Sequence, residues 1–321
     1  MDESKQSNNK SYQLQTTIKI HDKSVMHFII LKDNRYASSS CDKSIKIFNK
    51  ITYKIEIIIL EHDDYVAYIC QLKDGKLVSS SSDNTIKIFK LFKDSYNVEQ
   101  ILLGHSKPVK KTIELINGSL LSCSWDQKIF IWEKDNNNLY KISYQFVEMM
   151  EVCSVYEIND KEFISLSSND TNETKNRAIS FYKIKNDKYD IVDVIDNLKI
   201  SAFLSNIVII NDKYILAGGE KRIFFIDIIT HSIKKIFELP QKLWAQSLYL
   251  LSNGNLIVGA EFNLFIFKII DNNLEMISDI SNIQKTNHII NYGVISTIKE
   301  DFNKNIIVSL HNGEIKVFSK N

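Results

Sequence analysis

Histidine, serine and aspartate recur together three times early in the chain: His21, Ser38 and Asp42; His62, Ser79 and Asp83; His105, Ser122 and Asp126. In every set the serine follows the histidine by 17 residues and the aspartate follows it by 21. One such set would supply a nucleophile, a general base and the carboxylate that orients it, which is the chemistry of acyl transfer. That chemistry uses one exposed nucleophile beside an oxyanion hole. Three copies in phase argue that these residues hold a repeated unit together, and no enzyme activity is expected. The types suit that role. An aspartate accepts from one imidazole nitrogen, and the other nitrogen meets the serine hydroxyl. An aromatic residue follows each aspartate by six positions: Phe48, Phe89 and Trp132. Only the indole carries an N–H, so only the third set can add a fourth hydrogen-bonding member.

Other chemistries find little support. His21, His27, His62, His105, His231, His288 and His311 show no metal-ligand spacing, and Cys41, Cys70, Cys123 and Cys153 form no CxxC pair. The nine glycines are scattered and form no phosphate-cradling loop. Neither metal nor cofactor is expected. The 40 basic and 39 acidic residues leave a formal charge of +1, so no bulk field points to nucleic acid or an anionic membrane. Free thiols and a polar start, Met1–Tyr12, fit a reducing compartment: cytoplasmic or otherwise intracellular, the nucleus included. The longest apolar runs are strand length, too short to span a bilayer. Only Pro108 and Pro240 occur and there is no linker composition, so one continuous domain is expected over residues 12–321, with 1–11 a disordered polar tail.

The elements that must carry the three sets repeat with steps of 41 and 43 residues. A period of about 40–45 residues marks a repeat architecture. Each repeat holds short strand-like runs. In the first these are Val25–Leu31, Arg35–Cys41 and Ser44–Phe48, with a fourth, Tyr53–Leu60, before the next histidine. Ile-Lys-Ile-Phe alternates with period two, which puts Lys46, Lys87 and Lys316 on a solvated face. Asp74-Gly75 and Asn117-Gly118 supply hairpin turns. Four antiparallel strands in about 42 residues make one propeller blade.

The remaining sequence keeps the strand rhythm and loses the markers. Asn169, Glu220, Glu261 and Asn312 stand where the aspartate stood. The turn positions 42, 83, 126, 169, 220, 261 and 312 count seven blades. The two longer steps place insertions at 169–177 and 278–291, as docking loops or flexible segments. Blades four to seven are expected to rely on Ile, Leu and Phe packing.

These residues resemble the WD-repeat β-propeller family. The match lies in Gly104-His105, the Ser-x-x-x-Asp turns and the aromatic six residues beyond, with Trp132-Glu133 close to the family's Trp-Asp. It covers the first three repeats; the C-terminal half diverges. The resemblance implies an all-β, seven-bladed propeller of four-stranded antiparallel blades, closed by a strand at about residues 12–20 that completes the last blade. It implies that each His/Ser/Asp/aromatic set is a hydrogen-bonded network within its blade. It also implies that ligands meet the narrower top face, near Ser24 and Met26, Tyr65 and Ala67, Pro108 and Lys110. The residues before the turn acid, Cys41, Ser82 and Trp125, join them, as do Glu151, Cys153, Ser168, Leu204, Gly219, Ala245, Ala260 and His311 in the later blades. Met149, Met150 and Trp244 lie in the matching loops. Tyr65 and Trp125 stand out as interface aromatics.

The function implied is a non-catalytic scaffold for proteins or peptides, a monomeric propeller within a complex. One alternative is the substrate-recognition subunit of a larger assembly such as a ubiquitin ligase. Another is a phosphoinositide-binding propeller, for which Lys221-Arg222 is the nearest match to the paired-arginine motif. A propeller enzyme would need ligands converging on the channel, where the inner strands of the first three blades offer His27.

Overall fold

The computed structural model describes residues 12–170, 175–185, 188–196, 198, 207–219, 221–240, 243, 245–261, 263–280 and 294–320. The expected tail at 1–11 lies outside them, as do parts of both insertions (171–174 and 281–291). These residues form seven four-stranded antiparallel sheets.

The first strand is β1 (Tyr12–Lys19). Blade one is β2 (Val25–Ile30), β3 (Tyr36–Ser40), β4 (Ile45–Phe48) and β5 (Ile55–Ile59). Blade two is β6 (Val66–Gln71), β7 (Leu77–Ser81), β8 (Ile86–Leu91) and β9 (Tyr96–Leu102). Blade three is β10 (Val109–Glu114), β11 (Leu120–Ser124), β12 (Lys128–Lys134) and β13 (Tyr140–Val147). Blade four is β14 (Glu151–Asn159), β15 (Glu162–Asp170), β16 (Lys175–Lys185) and β17 (Lys188–Ile195). Blade five is β18 (Ile207–Ile209), β19 (Tyr214–Gly219), β20 (Arg222–Asp227) and β21 (Ser232–Glu238). Blade six is β22 (Ala245–Leu250), β23 (Leu256–Ala260), β24 (Asn263–Ile270) and β25 (Asn273–Ile280). Blade seven is β26 (Ile295–Glu300), β27 (Ile306–Leu310) and β28 (Glu314–Lys320), completed by β1.

The clasp runs from Tyr12↔Lys320 to Lys19↔Glu314. The amides of Ile20 and His21 then both donate to the Gly313 carbonyl at 3.1 Å. Gly313 has φ +85°, and a Cβ there would sit 2.1 Å from the His21 carbonyl oxygen. Glycine is required at this closure for both reasons.

Seven apolar clusters hold the ring, each between two neighbouring blades. Ile45 and Ile47 of blade one pack with Val66, Leu77 and Phe89 of blade two. Ile20, Val25 and Phe28 pack with Ile307 and Ile315 across the closure. The second and third strands are therefore covered on both faces. This corrects the placing of the strand lysines on a solvated face. Lys87 and Lys316 are buried, and Lys46 is half-buried. The Lys46 amine donates to the Ile20 carbonyl at 3.0 Å, and the Lys87 amine to that of Glu61. A long stem lies in the apolar layer while its head meets the carbonyl just before the blade histidine.

A second set of contacts ties blades two, three, four and seven each to the blade before it. The carboxylate of Glu114 accepts from the Lys73 amide at 2.6 Å, Glu157 from Ile116 at 2.8 Å and Glu300 from Ser252 at 2.7 Å. Gln71 does the same for the Lys32 amide at 2.8 Å. These acceptors close the inner strands at the bottom of the ring.

Candidate partner-binding face and blade networks

In blade one His21 bonds Asp42 through Nδ1 and Ser38 through Nε2, both at 2.8 Å. In blade two His62 meets Asp83 at 2.7 Å and Ser79 at 2.6 Å. In blade three His105 meets Asp126 at 3.0 Å and Ser122 at 2.8 Å, and the Trp132 indole donates to Ser122 at 2.8 Å. An ionised aspartate only accepts, so Nδ1–H is the donor and a neutral ring leaves Nε2 to accept the serine proton. Ser38, Ser79 and Ser122 are fully buried, so none can meet a substrate.

Burial opposes ionisation of the aspartates, but hydrogen bonds outweigh it. His21 and Ser44 hold the Asp42 carboxyl well below the usual carboxylate range, and His62 and Thr85 do so for Asp83. His105 and the Ser106 amide lower Asp126. Ser44 and Thr85 escape the sequence reading. The available signal is a hydroxyl two residues after the acid, where side chain and amide both bond the carboxylate in an Asx turn.

The same turns fix the top face. The residue before each acid donates its amide across to the loop that enters the inner strand. Cys41 reaches the Ser24 carbonyl at 3.0 Å, Ser82 reaches Tyr65 at 2.8 Å, Trp125 reaches Pro108 at 3.1 Å and His311 reaches Val294 at 2.9 Å. Ser24 Oγ also donates to the His311 carbonyl at 2.7 Å, linking blades one and seven. Tyr65 is 44 % exposed. Trp125 is half-buried, with the Lys110 ammonium 4.3 Å from its ring centroid. Burial lowers the pKa of Lys110 and of His311. Met26, Lys110 and Cys153 line the upper channel. Glu151 pairs with Lys107 at 3.5 Å, and Met149 is 91 % exposed. Trp244 and Leu204 lie outside the described residues.

The sequence matches the WD40 family (WD domain, G-beta repeat) over residues 12–49, 54–90 and 97–133. No curated protein matches it. Among solved structures, the WD40 beta propeller domain of Doa1 superposes with a TM-score of 0.75 at 18 % identity, over 97 % of each chain. The fold is a seven-bladed β-propeller. WD repeats are matched in its first three blades, and the fold extends through all seven.

The WD-type network does not stop where the sequence match does. Glu148 of blade four lies 43 residues after His105 and 17 before Ser165, so it occupies the histidine position. Its buried carboxylate accepts from Ser165 at 2.6 Å, from Ser180 at 3.3 Å and from the Tyr182 hydroxyl. Tyr182 faces Phe163 in the ladder as Trp132 faces Leu120, so the phenol replaces the indole donor. This corrects the expectation that blade four relies on apolar packing. Glutamate cannot donate, so the phenol and two hydroxyls donate to it.

The turn acids also divide. Asn312 keeps the Asx turn, its side chain accepting the Glu314 amide at 3.1 Å. In blades five and six the ladder continues to Gly219↔Arg222 and Ala260↔Asn263. In blades one to three that ladder ends earlier, at Ser39↔Ile45, Ser80↔Ile86 and Cys123↔Ile129; Glu220 lies outside the described residues. In blade four the pairing climbs through Asn169↔Asn176 to Asp170↔Lys175, so the described residues of the 169–177 insertion lengthen the β15–β16 ladder. Among the described residues no three His, Cys, Asp or Glu side chains group as metal ligands, and no helix is long and apolar enough to cross a membrane.

Proposed function

We propose that this propeller is a non-catalytic scaffold that holds a protein or peptide on its top face. WD40 propellers are typically interaction scaffolds, and the observation that carries the reading here is the pairing of top-face loops. Tyr65, Pro108 and Trp125 are each locked by a cross-loop backbone bond. They present an exposed phenol and an indole overlaid by a lysine. Rigid aromatics lose little entropy on binding and supply a large share of interface energy. Met26 and Lys110 on the channel side and Glu151 and His311 on neighbouring blades extend the surface. The chain acts as one propeller within a larger assembly, in an intracellular compartment.

Affinity purification from the source cells tests this. Tyr65→Ala with Trp125→Ala should lose the main partners found with the parent chain, with an unchanged circular dichroism spectrum. Retention of the same partners by that folded variant refutes top-face binding. A Tyr65→Lys variant, altered only at an exposed position, gives the same answer without touching the turn.

A further inference from the structure

The central channel holds two lysines, Lys111 and Lys299, that have no ion-pair partner among the described residues. Its upper cavity, about 610 Å³, is lined by Lys110, Lys111 and Lys299, with His27, Tyr68, Tyr156 and Tyr249. That volume suits a small ligand. A β-bulge interrupts six of the inner strands that line it, between Val25 and His27, Val66 and Tyr68, Val109 and Lys111, Val152 and Ser154, Ala245 and Ser247, and Ile295 and Thr297. A bulge breaks the alternation of faces, so consecutive residues, Lys110 and Lys111 among them, both line the channel.

The Lys111 ammonium lies 3.3 Å from Ser154 Oγ and 3.4 Å from the Tyr156 ring centroid. Lys299 lies 5.5 Å from the Tyr249 ring centroid. Neither forms an ion pair among the described residues. The nearby carboxylates are committed elsewhere: Glu157 to the Ile116 amide and Glu300 to that of Ser252. Thr297, on the same wall, is buried with its hydroxyl unpartnered. His27 donates Nδ1–H to the Ile69 carbonyl at 3.0 Å and stacks on Tyr68, which leaves Nε2 free to bind a proton.

We infer that the channel is a binding site for a small, multiply charged phosphate compound, held by Lys111 and Lys299 with hydroxyls from Ser154 and Thr297. Point-charge ammonium groups and hydroxyl donors around a small cavity suit tetrahedral oxyanions. The site is separate from the top-face aromatics and does not depend on their role.

The charge state adds a signature. Burial brings Lys111 down to about 7. Burial and the neighbouring Lys111 charge bring Lys299 down to about 8. Burial and both lysines push His27 well below its ordinary value. The other titratable groups on the wall are Lys110, Tyr68, Tyr156, Tyr249, Cys153 and Glu157. A bound anion raises the lysine values, so binding takes up protons and affinity falls as pH rises above about 7–8.

Calorimetry with inorganic triphosphate and inositol hexakisphosphate tests the site, run at pH 7.5 in two buffers of different ionisation enthalpy. The expected result is saturable 1:1 binding with net proton uptake. The Lys111→Met/Lys299→Met variant should bind at least tenfold more weakly, while Lys43→Gln on the surface binds as the parent does. Absence of saturable binding, binding without proton uptake, or equal loss in the surface variant overturns the inference. If the double variant does not fold, proton uptake by the parent chain decides.

Discussion

The Ser122 hydroxyl of blade three is the place to test whether the networks carry stability. It is fully buried and bonded on two sides, by the Trp132 indole and the His105 ring, both at 2.8 Å. Ser122→Ala opens almost no cavity but strands an N–H donor and a ring nitrogen where water does not reach. Each stranded group costs about 1–3 kcal/mol, so the variant should lose roughly 2–5 kcal/mol. Ser38→Ala in blade one is the internal control, because Phe48 offers no donor and only His21 Nε2 is stranded. It should lose about 1–3 kcal/mol. Combining Ser122→Ala with Trp132→Phe removes donor and acceptor together, and the double variant should cost about 1 kcal/mol less than the sum of the singles. Urea unfolding followed by far-ultraviolet circular dichroism measures all four variants, compared at constant m. If Ser122→Ala is no worse than Ser38→Ala, or the cycle is additive, the indole–serine–histidine relay does not contribute as argued.

Deleting residues 1–20 should lower Tm sharply and promote aggregation, since it leaves β28 as an open edge and removes buried Ile20, worth about 2 kcal/mol by itself. An unchanged melting curve would show that the clasp is dispensable. Glu148→Ala should destabilise by roughly 3 kcal/mol or more, because three hydroxyls lose their acceptor. Glu148→Gln keeps an acceptor and should cost clearly less, and equal losses would argue against a hydrogen-bonded role. Acid should unfold the ring through its turn acids. Folded Asp42, Asp83 and Asp126 hold their carboxyls below the usual range. Their contribution is therefore complete above the unfolded value of about 4 and is lost as pH falls through the depressed folded values. Urea midpoints at pH 7, 5, 4 and 3 should drop below pH 4, and the Asp→Asn triple variant should start lower and fall less. Parallel curves would assign the acid sensitivity to other carboxylates.

Blade count, strand order and ring closure were legible because each depends on spacing between neighbours in sequence. The Asp turns, the Gly75 and Gly118 hairpins and the Ile-Lys-Ile-Phe strands repeat in phase, and a leftover strand at residues 12–20 had one free place to pair. Side-chain environment was less legible. Period-two alternation placed Lys46 and Lys87 in solvent, because alternation separates two faces without telling whether one is wet. In a propeller, the two neighbouring blades cover the two faces of each blade's middle strands.

Blade four shows the limit in another form. Glu148 sits on the beat of 43 residues, and the signal was present in the spacing, but the residue type changed from donor-acceptor to acceptor. Its partners changed with it, Trp to Tyr at the aromatic position. The ring preserves a filled polar site, not a particular residue, so a search for histidine ends one blade too early. The channel was hidden for a geometric reason. A bulge sets Lys110 and Lys111 on one surface where alternation would part them, while Glu157 and Glu300, the carboxylates that could neutralise the lysines, reach to the amides of the preceding blades. The contacts that lock blade to blade thus leave the channel positive in a chain whose formal charge is only +1. Restoring the balance from within should silence it: Thr297→Glu, in the cavity that Lys111 and Lys299 also line, should bring both lysines back toward ordinary values and abolish phosphate binding without altering partner capture.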